Sequence, residues 1–311
     1  MSSNIVVTAI GHDRVLSEEF KGQISKFLGE LEDVQIGSEV ELSARAQDYF
    51  LSTSRSVLDL RKQLECLETG DVDIVVQKNS KFRKEKGLVV FDMDSTLIYQ
   101  EVIELIAAYA QVEDKVAEIT ERAMNNELDF KQSLAERVGL LKGIKTATLY
   151  DEIKQKLRVT QGVPELCRGL KKTGCKLAVL SGGFTPFANH MKDVLELDFA
   201  RANVLATETD CNQPEVEVLS GHTIGDVVDG ECKAQTLLEL AKEYQVPVEL
   251  TVMVGDGGND LPAMGVAGFG IAWNAKPRVQ QAAPSKLNTK SLKDAFYVFG
   301  YTDAEIATLL A

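Results

Sequence analysis

The run Gly87-Leu-Val-Val-Phe91, followed at once by Asp92-Met-Asp94-Ser-Thr96, limits the fold of this chain more than any other stretch. A short, continuous apolar and β-branched run reads as a strand buried on both faces, the kind found in parallel sheets. Two carboxylates at its end then stand on the carboxyl edge of the sheet, where open α/β sheets take their ligands. Strand alternation puts Asp92 and Asp94 on one side, close enough to share a cation or to divide acid and base roles. A lone D-x-D pair fits an acidic turn equally well, so the choice rests on the rest of the chain.

Beyond this strand the pattern turns helical. Glu101 to Gln111, Asp114 to Asn125, Phe130 to Lys142 and Thr146 to Leu157 carry apolar residues at helical spacing, and no strand interrupts them. Four helices set into the chain at this point predict a helical cap over the sheet edge, at about residues 100–160. Alternation then resumes. Cys175 to Leu180 reads as a strand ending in Ser181-Gly-Gly183, and Leu250 to Gly255 as another ending in Asp256-Gly-Gly-Asn-Asp260. Helices are expected at 184–195, 231–244 and 259–266, with short strands near 199–206 and 268–272. Strands alternating with helices predict an α/β, doubly wound parallel sheet.

Residues 1–80 read separately. A strand at 4–10, a helix at 16–31, strands at 38–43 and 48–53, a helix at 57–68 and a strand at 72–77 give the order β-α-β-β-α-β, predicting a small α+β ferredoxin-like unit. That order, with the turn Gly11-His-Asp-Arg14, resembles amino-acid-sensing ACT domains. The basic polar run 78–86 reads as a solvated linker to the unit spanning 81–311.

At 311 residues there is room for two such units. A formal net charge of −13 argues against nucleic-acid binding, which needs clustered Lys and Arg to neutralise phosphates. An acidic protein acting on an anion must therefore concentrate positive charge locally, through a metal and a few placed basic side chains. No run approaches the roughly 18 apolar residues of a membrane span, and Met1-Ser-Ser-Asn-Ile5 carries no basic or apolar leader pattern, so no membrane partner is expected. Cys66, Cys167, Cys175, Cys211 and Cys232 form no C-x-x-C pair and suit buried free thiols in a reducing, cytoplasmic setting. Three histidines, His12, His190 and His222, lack ligand-like spacing, which leaves acid–base work to carboxylates.

All strands of a parallel sheet point one way, so the three strand ends share one edge. Asp92, Asp94, Ser181, Gly182, Asp256, Asn259 and Asp260 then meet there. Four carboxylates sit together only if a hard cation neutralises them, and an all-oxygen set favours Mg2+. Gly182 and Gly183 let backbone N–H groups approach an anion, assisted by the following helix start.

The ordered set Asp92-Met-Asp94-Ser-Thr96, Ser181-Gly-Gly183, Lys233 and Gly255-Asp-Gly-Gly-Asn-Asp260 resembles the haloacid-dehalogenase superfamily of aspartyl-phosphate phosphatases. Glu101 and the tract Glu121 to Phe130, followed by Glu136-Arg137, narrow the likeness to the branch acting on O-phospho-L-serine. The tract Asp92 to Asp129 and Gly270 to Lys276 resemble its fungal form. Gly258 departs from the pattern, since many relatives carry Ala there.

The resemblance implies Asp92 as nucleophile and Asp94 as proton shuttle. It implies a Mg2+ site from the Asp92 side chain, the Asp94 carbonyl and Asp256, and phosphate contacts from Ser181, Gly182, Lys233 and Asn259. It further implies Glu101 on the substrate ammonium and Arg137 on its carboxylate. Asp260 either orients Lys233 or a metal-bound water, or caps a helix. Met124 and Phe130 either wall the pocket or pack the cap. The implied reaction is the last step of L-serine biosynthesis, and a homodimer is left open. Two other readings stay open on the residues themselves: a phosphatase or phosphotransferase of broader range, and an amino-acid-binding regulatory protein with an inactive catalytic part.

Overall fold

The computed structural model describes residues 3–125 and 127–311. The N-terminal part contains β1 (Ile5–Gly11), α1 (Glu18–Glu30), β2 (Val34–Ser43), β3 (Ala46–Thr53), α2 (Val57–Leu64) and β4 (Val72–Lys78). Its four strands are antiparallel in the order β2-β3-β1-β4, the arrangement of a split βαβ unit. Ser17 and Ser56 cap the two helices by accepting from the amides of Phe20 and Asp59. Ile24, Leu28, Leu60 and Leu64 of those helices close over Val7, Ala9 and Leu51 of the sheet.

The second part starts with β5 (Leu88–Phe91), then a helical insertion of α3 (Val102–Ala110), α4 (Glu113–Met124), α5 (Phe130–Gly139) and α6 (Thr146–Lys156). It continues with α7 (Val163–Lys172), β6 (Lys176–Phe184), α8 (Thr185–Leu195), β7 (Phe199–Thr209), β8 (Glu217–Ile224), α9 (Gly230–Glu243), β9 (Thr251–Gly255), α10 (Leu261–Val266) and β10 (Phe269–Trp273). The chain ends with α11 (Pro277–Ala282), β11 (Lys286–Leu287), α12 (Ala295–Val298) and α13 (Asp303–Leu310). The seven strands run β11-β10-β9-β5-β6-β7-β8. All pairs are parallel except β7 with β8, a hairpin edge that the alternation of helix and strand did not predict. Helix α7 and the elements after residue 283 were also not predicted.

All four residues of β5 are buried, as a central parallel strand requires. Phe91 pairs with Val179 on one side and Val254 on the other, which brings Asp92 level with the positions just before Ser181 and Asp256. The insertion leaves and returns through one narrow neck: Tyr99 N donates to Arg158 O, and Thr160 N to Leu97 O.

The run 78–86 is not a solvated linker. Arg83 is buried, donating to both carboxylate oxygens of Asp48 at 2.6 and 2.8 Å and to Val298 O at 3.2 Å. Gln77 donates to the same carbonyl, and Arg45 grips Asp294 through two bonds. The N-terminal sheet is thus fastened to α12 by buried polar groups, and Ile10, Ala46 and Val75 join the same apolar core as Phe296. The cysteines are all free, as expected, but Cys66 and Cys211 are exposed and only Cys167 and Cys175 fully buried.

Lys86, from the same run, is buried between Phe269 and Phe299, with Nζ donating to Phe82 O at 2.7 Å. Burial pulls its amine down to about 8. Below that pH the folded chain carries a charge that would be better solvated unfolded, and the cost is relieved as pH rises toward the lysine's ordinary value. We expect Lys86→Met to stabilise the fold at pH 7 by about 1–2 kcal/mol, the two ring contacts offsetting part of the penalty. The gain should shrink toward zero by about pH 10, as read by denaturant unfolding at both pH values.

Candidate active site

Most of the site residues sit where a strand stops or a helix starts; Ser181 and Gly182 lie inside β6, and Arg137 is in the last turn of α5. The Asp92 amide donates to Val254 O at 2.9 Å, the last ladder bond of β5, and Asp92 Oδ1 accepts from the Met93 amide at 2.7 Å. The chain then turns sharply: Asp94 is extended (ψ 137°), and Ser95 is left-handed (φ 53°). The Ser181-Gly-Gly183 segment does not end the strand as the sequence predicts. It stays within β6 as an irregularity between Leu180 and Phe184, where pairing with β7 breaks and resumes. Ser181 Oγ accepts from the Gly183 amide, and Asn203 holds the loop by donating to Gly182 O at 2.8 Å.

Lys233 lies in the first turn of α9 and is fully buried. Its Nζ reaches Asp260 Oδ1 at 2.7 Å and Asp92 Oδ2 at 2.9 Å. Burial pulls the amine down, but Asp260 and Asp92 outweigh it and hold the lysine charged. Asp260 Oδ2 accepts from the Gly257 amide at 3.0 Å. Both Asp260 oxygens are therefore engaged: it holds Lys233 and closes the 256–260 turn.

Asp92, Asp256 and Asp260 each bring a carboxylate oxygen within 4.8 Å of the others. Burial, then Asp92 and Asp260, push Asp256 up to about 8; burial and Asp92 push Asp260 up to about 7. Asp94 is raised well above the carboxylate range by burial, with Glu101 and Asp92 adding to it, and its Oδ1 is buried with no hydrogen-bond partner. A hard divalent cation fits this donor set. The ligands are oxygens, negative charge exceeds the one ammonium, and Asp92 and Asp256 are the two of these carboxylates that line the cavity, where Asp260 does not.

Around this cluster is a cavity of about 230 Å3, lined by Asp92, Asp94, Glu101, Arg137, Ser181, Gly182, Asp256 and Asn259, with Phe130 among its apolar walls. Its size suits a small metabolite. Glu101 and Arg137 come from the insertion. Burial raises the Glu101 carboxyl, and Ser95 Oγ, 2.6 Å from its Oε1, works against that shift. Burial lowers Arg137, while Glu101 and Asp94 draw it back up; its Nε donates to Ser133 O at 3.2 Å. The Phe130 ring packs on Gly182 so closely that a Cβ there would lie 2.8 Å from it. Lys131 pairs with Asp229, the N-cap of α9, at 3.0 Å. The insertion is therefore closed over the sheet edge. The side chain of Met124 lies outside the described residues. Asn203 and the apolar walls Ile103, Leu134 and Phe184 carry no motif that could have marked them, and Ser95, although inside the Asp92–Thr96 motif, carries no spacing signal toward Glu101.

A family model described as haloacid dehalogenase-like hydrolase matches residues 87–268. The phosphoserine phosphatase of Saccharomyces cerevisiae is 58% identical over 310 residues, covering 98% of each chain. The crystal structure of an unliganded probable phosphoserine phosphatase from Vibrio cholerae superposes with a TM-score of 0.71 at 32% identity, over 96% of this chain and 86% of that one. A substrate-bound phosphoserine phosphatase complex superposes with a TM-score of 0.63 at 36% identity, over 69% of this chain and 98% of that one. The chain belongs to the haloacid dehalogenase-like hydrolases, and within them to the phosphoserine phosphatase family.

Removing Lys233 strands two buried carboxylates. Lys233→Met should abolish turnover and, in chelator, lower stability by about 3–5 kcal/mol in denaturant unfolding; a loss under about 1 kcal/mol would mean the bridge carries little of the fold.

Proposed function

We propose that this chain hydrolyses O-phospho-L-serine to L-serine and phosphate, the last step of L-serine biosynthesis, through an aspartyl-phosphate on Asp92. The observation that carries the reading is the placement of Glu101 and Arg137 in the same small cavity as the Asp92–Asp94 pair. A free α-amino acid presents one ammonium and one carboxylate, and these two side chains offer a carboxylate and a planar two-pronged cation to meet them. The phosphoserine phosphatases that the chain resembles agree with this substrate.

The Asp92 carboxylate, the Asp94 main-chain carbonyl and Asp256 would hold Mg2+, which when bound would neutralise negative charge between nucleophile and phosphate. The Lys233 ammonium and the backbone at Gly182 and Gly183 face the same anion, with Asn259 beside them. An Asp92 oxygen attacks phosphorus, and the bond from phosphorus to the serine oxygen breaks. Asp94, kept protonated by burial and neighbouring carboxylates, gives that oxygen its proton. Asp94, now ionised, takes a proton from the water that attacks the phosphorus of the aspartyl-phosphate, releasing phosphate and restoring Asp92. Phe130, resting on Gly182, keeps bulk water out of the closed site, so serine leaves only when the insertion lifts. Residues 1–80 form an ACT-like unit, supported by the β2-β3-β1-β4 order, beside the phosphatase core of 81–311.

Two measurements test this. Excess chelator should remove activity and added Mg2+ should restore it; full activity in chelator contradicts the metal assignment. Glu101→Gln and Arg137→Ala should each raise KM for phosphoserine by about tenfold or more, the loss of a charge-assisted contact. Unchanged kinetics in both would leave a phosphatase of broader range as the better reading.

A further inference from the structure

Ser95 occupies backbone space that L-residues other than asparagine and aspartate seldom enter, at φ 53° and ψ 8°. Glycine would hold that conformation without steric cost, and a serine there costs on the order of 1 kcal/mol. Strain of this kind persists where the side chain does something glycine cannot. Ser95 Oγ donates to Glu101 Oε1 at 2.6 Å, a short hydroxyl-to-carboxyl hydrogen bond. The backbone ties the same two points, since the Ser95 amide donates to Gln100 O at 3.3 Å. Glu101 itself occupies the N-cap of α3 but makes no capping bond with its side chain. Its carboxylate is thus spared from the helix end and fixed by the serine.

We propose that Ser95 is a positioning residue and a determinant of specificity: its hydroxyl pins one oxygen of Glu101 and leaves the other to meet the substrate ammonium. The inference rests on the assignment of Glu101 to that ammonium. Without the pin, the Glu101 side chain regains its rotamers, and the Asp92 carboxylate repels it from the position the ammonium needs. The hydroxyl therefore contributes to amino-acid recognition without touching the substrate.

The discriminating variant is Ser95→Gly, which keeps the left-handed backbone and removes only the hydroxyl and its Cβ. Steady-state kinetics with Mg2+ would compare O-phospho-L-serine with 3-phosphooxypropanoate, the same ester lacking the amino group. The wild-type chain should prefer phosphoserine, and Ser95→Gly should lower that preference about tenfold, chiefly through KM for phosphoserine. In a Glu101→Gln background the same change should have no further effect on the preference, the non-additivity expected of two residues acting as one unit. Tm of Ser95→Gly should be equal or higher, because the strain is relieved. Preference retained in Ser95→Gly, or equal losses on both esters, overturns the inference while leaving the Glu101 assignment standing. A wild-type chain that turns over both esters equally overturns the Glu101 assignment and this inference together.

Discussion

A single buried ammonium surrounded by more carboxylates than it can neutralise governs this molecule. Lys233 has no exposed surface and pairs with Asp92 and Asp260 at 2.9 and 2.7 Å, while Asp256, Asp94 and Glu101 crowd the same end of the sheet. Lys233 and Arg137 are two cations against these five carboxylates, so protons or a metal must make up the difference. That imbalance explains why Asp94 and Asp256 are pushed above the ordinary carboxylate range, and it is the local charge that the proposed metal and phosphate chemistry would draw on in a protein of net charge −13. Local field, not overall charge, decides what binds.

The fold exists in the form that brings those groups together. Register alone brings Asp92 level with the approach to the Ser181–Gly183 irregularity in β6 and to Asp256 at the end of β9. The irregularity in β6 interrupts its ladder at Ser181–Gly183, where the proposed phosphate site needs backbone donors, and Asn203 holds that segment from the neighbouring strand. The insertion returns through the neck at Leu97–Tyr99 and Arg158–Thr160, so its helices can close Phe130 and Arg137 over the site as one body. On the far side, Arg83 and Gln77 bind the N-terminal sheet to α12, so the two parts share one continuous core.

Much of this was legible before any coordinates, and the reasons are physical. Buried parallel strands announce themselves as apolar runs, and acids at their ends must converge, so Asp92, Asp94 and Asp256 could be placed together from the chain alone. Lys233 could not: a lysine near a helix start is ordinarily solvated, and only the family resemblance singled it out. Asn203 and Ser95 act through partners that the tertiary fold supplies, Gly182 from the next strand and Glu101 across a turn, and neither belongs to a periodic pattern. The basic run 78–86 misled because charge runs usually face water, whereas Arg83 finds Asp48 from a distant strand and Lys86 slides between two rings. The β7–β8 hairpin was missed because its second strand alternates weakly and follows a polar loop at 210–216.

The central claim is that the crowded carboxylates serve covalent phosphoryl transfer, with Asp92 as the acceptor. Rapid mixing of the Mg2+-loaded chain with phosphoserine carrying radiolabelled phosphate, followed by acid quench and peptide mapping, tests it most directly. The account predicts acid-stable label on the chain during the first turnover, confined to Asp92 and lost as free phosphate appears. Phosphate forming with no label passing through the protein, or label on any other side chain, would contradict it.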